Sequence, residues 1–275
     1  MRVLVFGASG RMGREIIRLL SENEQGCRLA IAVDRGESSA IGQDAAILVG
    51  CSALNVFVQA DGDALRDLNP DSFDVAIDFT LPEVSVIHAE WCQRWKKPFI
   101  LGTTGFLPEQ EKIIHDTAKT IPILWAPNMS IGVNVCFALL RKAAEMLGPE
   151  YDIEIIEAHH RHKVDAPSGT ALRMGEVVAK ARNTTLKESA VYARQGRTGA
   201  RDASTIGFST IRGGDIVGDH TVLFAAEGER IEITHKASNR GNFARGAVRA
   251  AAWIANKPAG LYDMMDVISR NNDAV

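Results

Sequence analysis

The chain has 275 residues, of which 46% are hydrophobic, 24% charged and 6% aromatic. That apolar share excludes disorder as the main state, and the length allows one large domain or two modest ones burying roughly 70–75% of the extended chain's surface. A formal net charge of −3 argues against broad non-specific binding of nucleic acid. In chain order, residues 3–6 form an apolar run that feeds Gly7-Ala8-Ser9-Gly10-Arg11-Met12-Gly13, after which Ile16, Ile17, Leu19 and Leu20 recur at helical spacing. The order is strand, glycine turn, helix. Residues 29–33 predict a second strand with Asp34 at its end; 36–50 read as a long loop, 55–58 as a third strand and 63–68 as a short helix closed by Asn69-Pro70. A strong strand over 75–79 leads through Thr80 into a helix over 82–95 that opens with Pro82. Strand 98–101 ends in Gly102-Thr103-Thr104-Gly105, helix 108–120 follows, and strand 121–125 runs into Ala126-Pro127-Asn128.

Strands alternating with helices predict a mostly parallel, doubly wound sheet, in which ligands sit beyond the carboxyl ends of the strands. Gly7, Asp34, Thr80, Gly102 and Asn128 all fall at those ends. After Asn128 the pattern changes. A helix over 133–147 stops at Gly148-Pro149, 152–158 alternates as a strand, and 170–180 is helical. Strands follow over 204–211, 221–226 and 230–236, the last two separated by Glu227-Gly228-Glu229, and 243–253 is a helix rich in small residues. The division expected is an α/β domain over 1–128, completed by 240–275, and a smaller α+β domain over 129–239. No run approaches the ~18 uncharged apolar residues of a membrane span. Cys27, Cys51, Cys92 and Cys136 lack zinc or CxxC spacing and fit isolated thiols in a reducing cytoplasm.

The glycine turn has Gly-x-x-Gly-x-x-Gly spacing, one place off the usual dinucleotide fingerprint. A turn without Cβ atoms lets a pyrophosphate approach the backbone and rest on a helix N-terminus. Gly13 lets the helix lie close, and Arg11 adds charge at a phosphate. The competing reading is a tight turn with another role. Asp34 stands about 20 residues further on, where a carboxylate accepts from the adenosine ribose hydroxyls. Arg35 is a donor suited to a 2′-phosphate, so the pair predicts use of both NADH and NADPH, with NADH the better. The plain alternative is a strand-end acid and a solvent arginine. Gly102, Thr103, Thr104, Ala126, Pro127 and Asn128 are candidates for the nicotinamide half, although as isolated motifs they are ordinary turns.

The most informative stretch runs from Glu157 to Thr170 and holds His159, His160 and His162, three of the seven histidines, beside Arg161 and Lys163. A metal reading lacks a nearby cysteine and an HExxH spacing, and the two cations oppose it; a solvated basic loop is the second alternative. The third is a site for a small anionic substrate. Ser168-Gly169-Thr170 opens a helix whose free N–H groups take a carboxylate, with Ser168 also able to cap it. Lys163 and His160 neutralise carboxylate charge, and His159 or Lys163 delivers a proton. Hydride arriving at a C=N or C=C unit creates negative charge that a proton must quench, and water exclusion calls for domain closure. His220 and His235 are read as makers of structural hydrogen bonds, and Arg240 as a hinge or cofactor contact.

Over 3–267 the chain resembles the 4-hydroxy-tetrahydrodipicolinate reductase (dihydrodipicolinate reductase) family, most specifically in Glu157–Thr170. Gly7–Gly13, Asp78-Phe79-Thr80, Gly102–Gly105, 126–132, 218–221 and 240–253 are similar to the family at matching places. The resemblance implies a Rossmann-like dinucleotide-binding domain and a smaller α+β domain that binds substrate and builds a homotetramer. It implies NADH- or NADPH-dependent reduction of a dicarboxylate, with loss of water, in lysine and meso-diaminopimelate biosynthesis. His159 would donate the proton and Lys163 would bind substrate and assist. His160, Ser168, Gly169 and Thr170 would hold carboxylates. Gly7, Ala8, Ser9, Gly10, Arg11, Met12, Gly13, Asp34, Arg35, Gly102, Thr103, Thr104, Ala126, Pro127, Asn128 and Met129 would line the cofactor, and no metal is expected. Met129 stands where some members carry an aromatic residue, so stacking is not expected there. Asp34 replaces a longer Glu of some members, which leaves cofactor preference open. No Arg/Ser-rich lead precedes Met1, which favours a bacterial over a plastid enzyme. The alternatives are another nicotinamide oxidoreductase, acting on an amino acid or semialdehyde, and a non-catalytic dinucleotide sensor that would tolerate loss of His159 and Lys163.

Overall fold

The computed structural model describes residues 1–239 and 241–269, apart from the side chains of Asp63 and Ala64. The chain forms two compact units, Met1–Ile131 with Gly241–Val275, and Gly132–Arg240. The first begins with β1 (Arg2–Phe6), α1 (Arg11–Ser21), β2 (Arg28–Asp34), β3 (Val58–Ala60), β4 (Val75–Asp78), α2 (Pro82–Trp95), β5 (Phe99–Leu101), α3 (Pro108–Ala118) and β6 (Pro122–Trp125). The second runs through α4 (Ile131–Met146), β7 (Asp152–His159), α5 (Gly169–Ala181), α6 (Leu186–Ser189), β8 (Ala190–Val191), β9 (Ile206–Arg212), β10 (Gly218–Ala226) and β11 (Glu229–Ala237). The chain then returns to the first through α7 (Gly241–Ile254), β12 (Gly260–Tyr262) and α8 (Met264–Ile268).

The first unit is built on a seven-stranded sheet in the order β12-β6-β5-β4-β1-β2-β3, every pair parallel. Successive strand residues face opposite sides. Val3 and Val5 pack with Ile16 and Ile17 of α1 and Ala247 and Ala251 of α7, while Leu4 and Phe6 pack with Ala89 and Cys92 of α2 and Ile114 of α3. Both faces of the sheet are therefore covered, as its continuous apolar strands require. The third strand differs from expectation. The Asp44 carboxylate accepts the backbone N–H groups of Ala46, Ile47, Leu54 and Asn55, and Asn55 has φ 57°. The chain is turned there, and pairing with β2 begins only at Val58. The expected helix over 63–68 is a 3-10 segment, Gly62–Asp67.

The second unit is a mixed five-stranded sheet, β11-β10-β7-β9-β8. β7 is antiparallel to β10 and parallel to β9. Ile153 and Ile155 of β7 face Leu140 of α4 and Met174 and Val178 of α5, together with Phe208, Val222 and Phe224. Glu157 and His159 continue that same face by the two-residue period. Ile156, Ile211 and Ile231 are exposed. Among the described residues, no helix is long and apolar enough to cross a membrane, and the four cysteines are free thiols.

Candidate active site

In the first unit the special residues gather at the carboxyl ends of the strands. Gly7 turns the chain out of β1 with φ 68°, and a Cβ there would lie 2.9 Å from Thr80 Cγ2. The Gly10 N–H donates to the Gly7 carbonyl at 3.0 Å. Gly10 caps α1 without a side-chain bond, and the first turn carries no acidic residue, so no side chain of the helix's own start blocks its N–H groups and positive dipole end. A Cβ on Gly13 would overlap the Gly7 carbonyl. The turn is therefore a cradle that side chains would fill, and it fits a pyrophosphate.

Asp34 ends β2 beside this turn. Its Oδ2 accepts the Ser9 N–H at 2.8 Å and the Ser38 hydroxyl at 3.2 Å, and its Oδ1 accepts the Arg35 N–H at 2.9 Å. Arg11 and Arg35 are exposed, Ala8 is buried, and Met12 packs partly on the core. Gly102 donates its N–H to Asp78 O at 2.9 Å, and any side chain at 102 would overlap the Phe79 ring. Thr104 and Pro127 are exposed, Ala126 is buried, and Asn128 Oδ1 accepts the Ser130 N–H.

Two of the residues expected to line the cofactor have buried side chains. Thr103 is turned inward, its hydroxyl bonded to Ser85 at 2.8 Å and facing Asp78 at 3.5 Å, so only its backbone is available to a ligand. Met129 is 1% exposed and belongs to the apolar core. Beneath these loops lies a buried network that sequence reasoning missed. His88 Nδ1 is 2.5 Å from Asp78 Oδ2 and its Nε2 is 2.9 Å from Asp61 Oδ2, while Phe6 stacks on the ring at 3.7 Å between centroids. Burial opposes charge on this imidazole, but the two carboxylates outweigh it and hold its pKa up at about 9. A lone histidine within a helical pattern carries no signal of such partners.

In the second unit the candidate residues converge around Glu157, which has no solvent exposure. Arg212 forks onto it with both bonds at 2.8 Å, and the Ser168 N–H reaches Oε1 at 3.1 Å. His159 Nδ1 lies 2.5 Å from Oε2. Burial would raise the Glu157 pKa, but Arg212 and His159 hold it below the usual range. An ionised carboxylate only accepts, so Nδ1 of His159 carries the hydrogen and Nε2 is the nitrogen left for other work. Gly218 gives Nε2 room, since a Cβ there would stand 3.0 Å away. Burial draws the His159 pKa down against the opposing pull of Glu157, and the Lys163 and Arg212 charges add to the lowering.

Strand register brings these groups together, with His159 opposite Arg212 across β7–β9 and Glu157 opposite His220 across β7–β10. His220 stands edge-on to His159 at 5.0 Å and pairs through Nε2 with Ser168 Oγ at 2.9 Å. Burial holds its pKa down to about 4, so it is neutral near pH 7.

Ser168 caps α5 by accepting the Ala171 N–H, and it is only 2% exposed. Its N–H and hydroxyl are thus both engaged. It ties the end of α5 to His220 and Glu157. Gly169 and Thr170 remain exposed or half-buried at that end. Lys163 Nζ is paired with Asp165 Oδ1 at 2.8 Å. Burial opposes the charge on Asp165, but Lys163 and the Gly169 N–H hold its pKa below the usual range. His160 donates its backbone N–H to Ile216 O at 2.7 Å, and its buried Nδ1 has no hydrogen-bond partner among the described residues. Arg240 lies outside the described residues. Glu157, Arg212 and Gly218 are the members that sequence reasoning did not assign a role. The two-residue step from Glu157 to His159 on one strand was the only available signal.

Two family models divide the chain: "Dihydrodipicolinate reductase, N-terminus" over residues 1–129 and "Dihydrodipicolinate reductase, C-terminus" over 132–268. Among solved structures, a dipicolinate-bound dihydrodipicolinate reductase from Paenisporosarcina sp. TG-14 is similar with TM-score 0.74 at 25% identity, covering 96% of this chain and 97% of that one. A probable dehydrogenase from Thermotoga maritima (TM-score 0.59, 13% identity, 98% of this chain and 92% of that one) shares the fold. So does an amine dehydrogenase from Mycobacterium smegmatis (0.58, 12%, 98% and 96%).

Proposed function

The chain belongs to the dihydrodipicolinate reductase family, and from that premise we propose how its residues share the reduction of 4-hydroxy-tetrahydrodipicolinate to tetrahydrodipicolinate in lysine and diaminopimelate biosynthesis. The backbone from Gly7 to Gly13 holds the pyrophosphate of a nicotinamide dinucleotide. Asp34 accepts from the adenosine ribose and Arg35 serves a 2′-phosphate, so NADH and NADPH are both used and NADH is the better. Gly102, Thr104 and the backbone of 126–128 hold the nicotinamide half. When bound, the dinucleotide supplies the hydride.

The second unit holds the dicarboxylate and supplies the proton. Lys163 exchanges Asp165 for a substrate carboxylate, and the exposed end of α5 at Gly169 and Thr170 takes another with His160. That a similar reductase binds dipicolinate supports a planar dicarboxylate ligand. His159 delivers its proton from Nε2, which is the single feature that carries the reading: Glu157 occupies Nδ1 and leaves Nε2 as the working nitrogen. A dianionic substrate favours the imidazolium, so His159 gains its proton as substrate arrives and loses it as negative charge develops. The exposed face of the second sheet and its nine-residue edge strand β11 support assembly as a homotetramer. Free cysteines support a cytoplasmic location.

The test generates substrate in situ from pyruvate and aspartate semialdehyde with the preceding synthase and follows nicotinamide oxidation with NADH and NADPH separately. Oxidation that needs both synthase substrates is expected. His159→Gln should lower kcat by about 10²-fold with little change in cofactor KM. No oxidation with either nucleotide, in folded protein, overturns the reading.

A further inference from the structure

We propose that Glu157 and Arg212 are positioning residues that fix the tautomer and aim of His159 as one unit. The inference rests on the reading of His159 as proton donor. A buried carboxylate is costly unless its lone pairs are filled and its charge is met. Here Oε2 is shared between His159 Nδ1 at 2.5 Å and one Arg212 nitrogen at 2.8 Å, while Oε1 takes the other Arg212 nitrogen and the Ser168 N–H. The same carboxylate thus joins the histidine on β7, the guanidinium on β9 and the capping residue of α5. If the pair served the sheet alone, Arg212 could satisfy Glu157 without the imidazole. The shared Oε2 places the guanidinium charge where it tempers how strongly Glu157 draws a proton onto His159.

The groups facing His159 come from every neighbouring element: Glu157 on its own strand, Arg212 on β9, His220 on β10, and Lys163 with its partner Asp165 on the following loop. Glu157 favours the imidazolium, whereas Arg212 and Lys163 disfavour it. Removing the two members of the pair should therefore move His159 in opposite directions. Donation requires the protonated form, so turnover falls on the alkaline side as His159 deprotonates.

The experiment measures kcat against pH at saturating substrates for wild type, Glu157→Gln, Arg212→Met and Arg212→Lys. Glu157→Gln should lower kcat by roughly 10- to 100-fold, the size of loss that follows removal of a carboxylate orienting a metal-bound histidine. It should also move the alkaline limb to lower pH. Arg212→Met should move that limb to higher pH, and Arg212→Lys should bring it back toward wild type. Unmoved limbs in folded variants overturn the proposal. His159→Gln separates the two readings: if it keeps full turnover, the donor assignment itself has failed, and if it loses turnover while Glu157→Gln leaves rate and profile intact, only the positioning role has failed. Should Glu157→Gln not fold, histidine side-chain ¹⁵N NMR of the wild-type protein decides, assigned with His159→Gln. A hydrogen on Nδ1 of His159 near neutral pH is expected, and the Nε2–H tautomer overturns it.

Discussion

Both oxygens of Asp34 already accept hydrogen bonds within the protein, from Ser9 N–H, Arg35 N–H and the Ser38 hydroxyl. A carboxylate has about four acceptor sites, so one remains for a ribose hydroxyl. Asp34→Ala removes that acceptor and also a charge that repels a 2′-phosphate. A hydrogen bond to a charged group contributes roughly 1.5–3 kcal/mol, which is a rise of about 10- to 100-fold in the KM for NADH. The KM for NADPH should rise less, because lost repulsion offsets the lost bond. Steady-state titration of each nucleotide checks this, and equal rises would mean that Asp34 does not face the ribose. Its position was legible in the sequence because a strand end following a glycine turn is a local pattern. The ties to Ser9 and Ser38 were not, since a loop has no period to read. The same holds in the second unit. His159, Lys163 and Gly169 are close in sequence and stood out as a cluster, whereas Arg212 reaches Glu157 across 55 positions of chain, through a β7–β9 register that no local pattern states.

At the scale of elements, helical and strand periods identified every long segment, including α7, which was read as a helix rich in small residues. They did not identify β8 or β12, because two or three residues cannot show a period. They misplaced β3, where Asp44 holds the chain in a turn. The closeness of α7 is sharper than its composition suggests. Ala244, Ala247, Ala250 and Ala251 are wholly buried, and a Cβ on Gly246 would overlap the carbonyl of Met129. That obstacle is backbone and cannot rotate away. Gly246→Ala should therefore destabilise the first unit by roughly 1–3 kcal/mol, the range for overpacking, despite the gain in helix propensity that alanine brings. Denaturant unfolding followed by tryptophan fluorescence measures it. An unchanged or higher midpoint would show that α7 has room to move off Met129.

The two units bury histidines in opposite states, and the whole molecule should respond to pH accordingly. In the first unit, His88 lies between Asp61 and Asp78, and its pKa is raised from 6.5 to about 9. A raised value means that the folded form binds the proton more tightly than the unfolded chain. The stabilisation is full below about 6.5 and is lost as pH climbs through about 9. In the second unit, burial lowers His220 from 6.5 to about 4. Between those values the unfolded chain takes up a proton that the folded form refuses, so this unit loses stability as pH falls from about 6.5 toward 4. Each shift corresponds to a few kcal/mol, which is large beside ordinary domain stability. Trp91, Trp95, Trp125 and Trp253, all the tryptophans of the chain, lie in the first unit, so their fluorescence follows that unit alone. Amide exchange along β7 and β10 follows the other. The tryptophan transition should weaken between pH 8 and 10 and lose that dependence in His88→Gln, while protection of β7 and β10 should weaken on acidification below about 6.5. An alkaline slope that survives His88→Gln would assign it to another group. If acid instead weakened the tryptophan transition first, the opposed histidine states would not govern which unit opens.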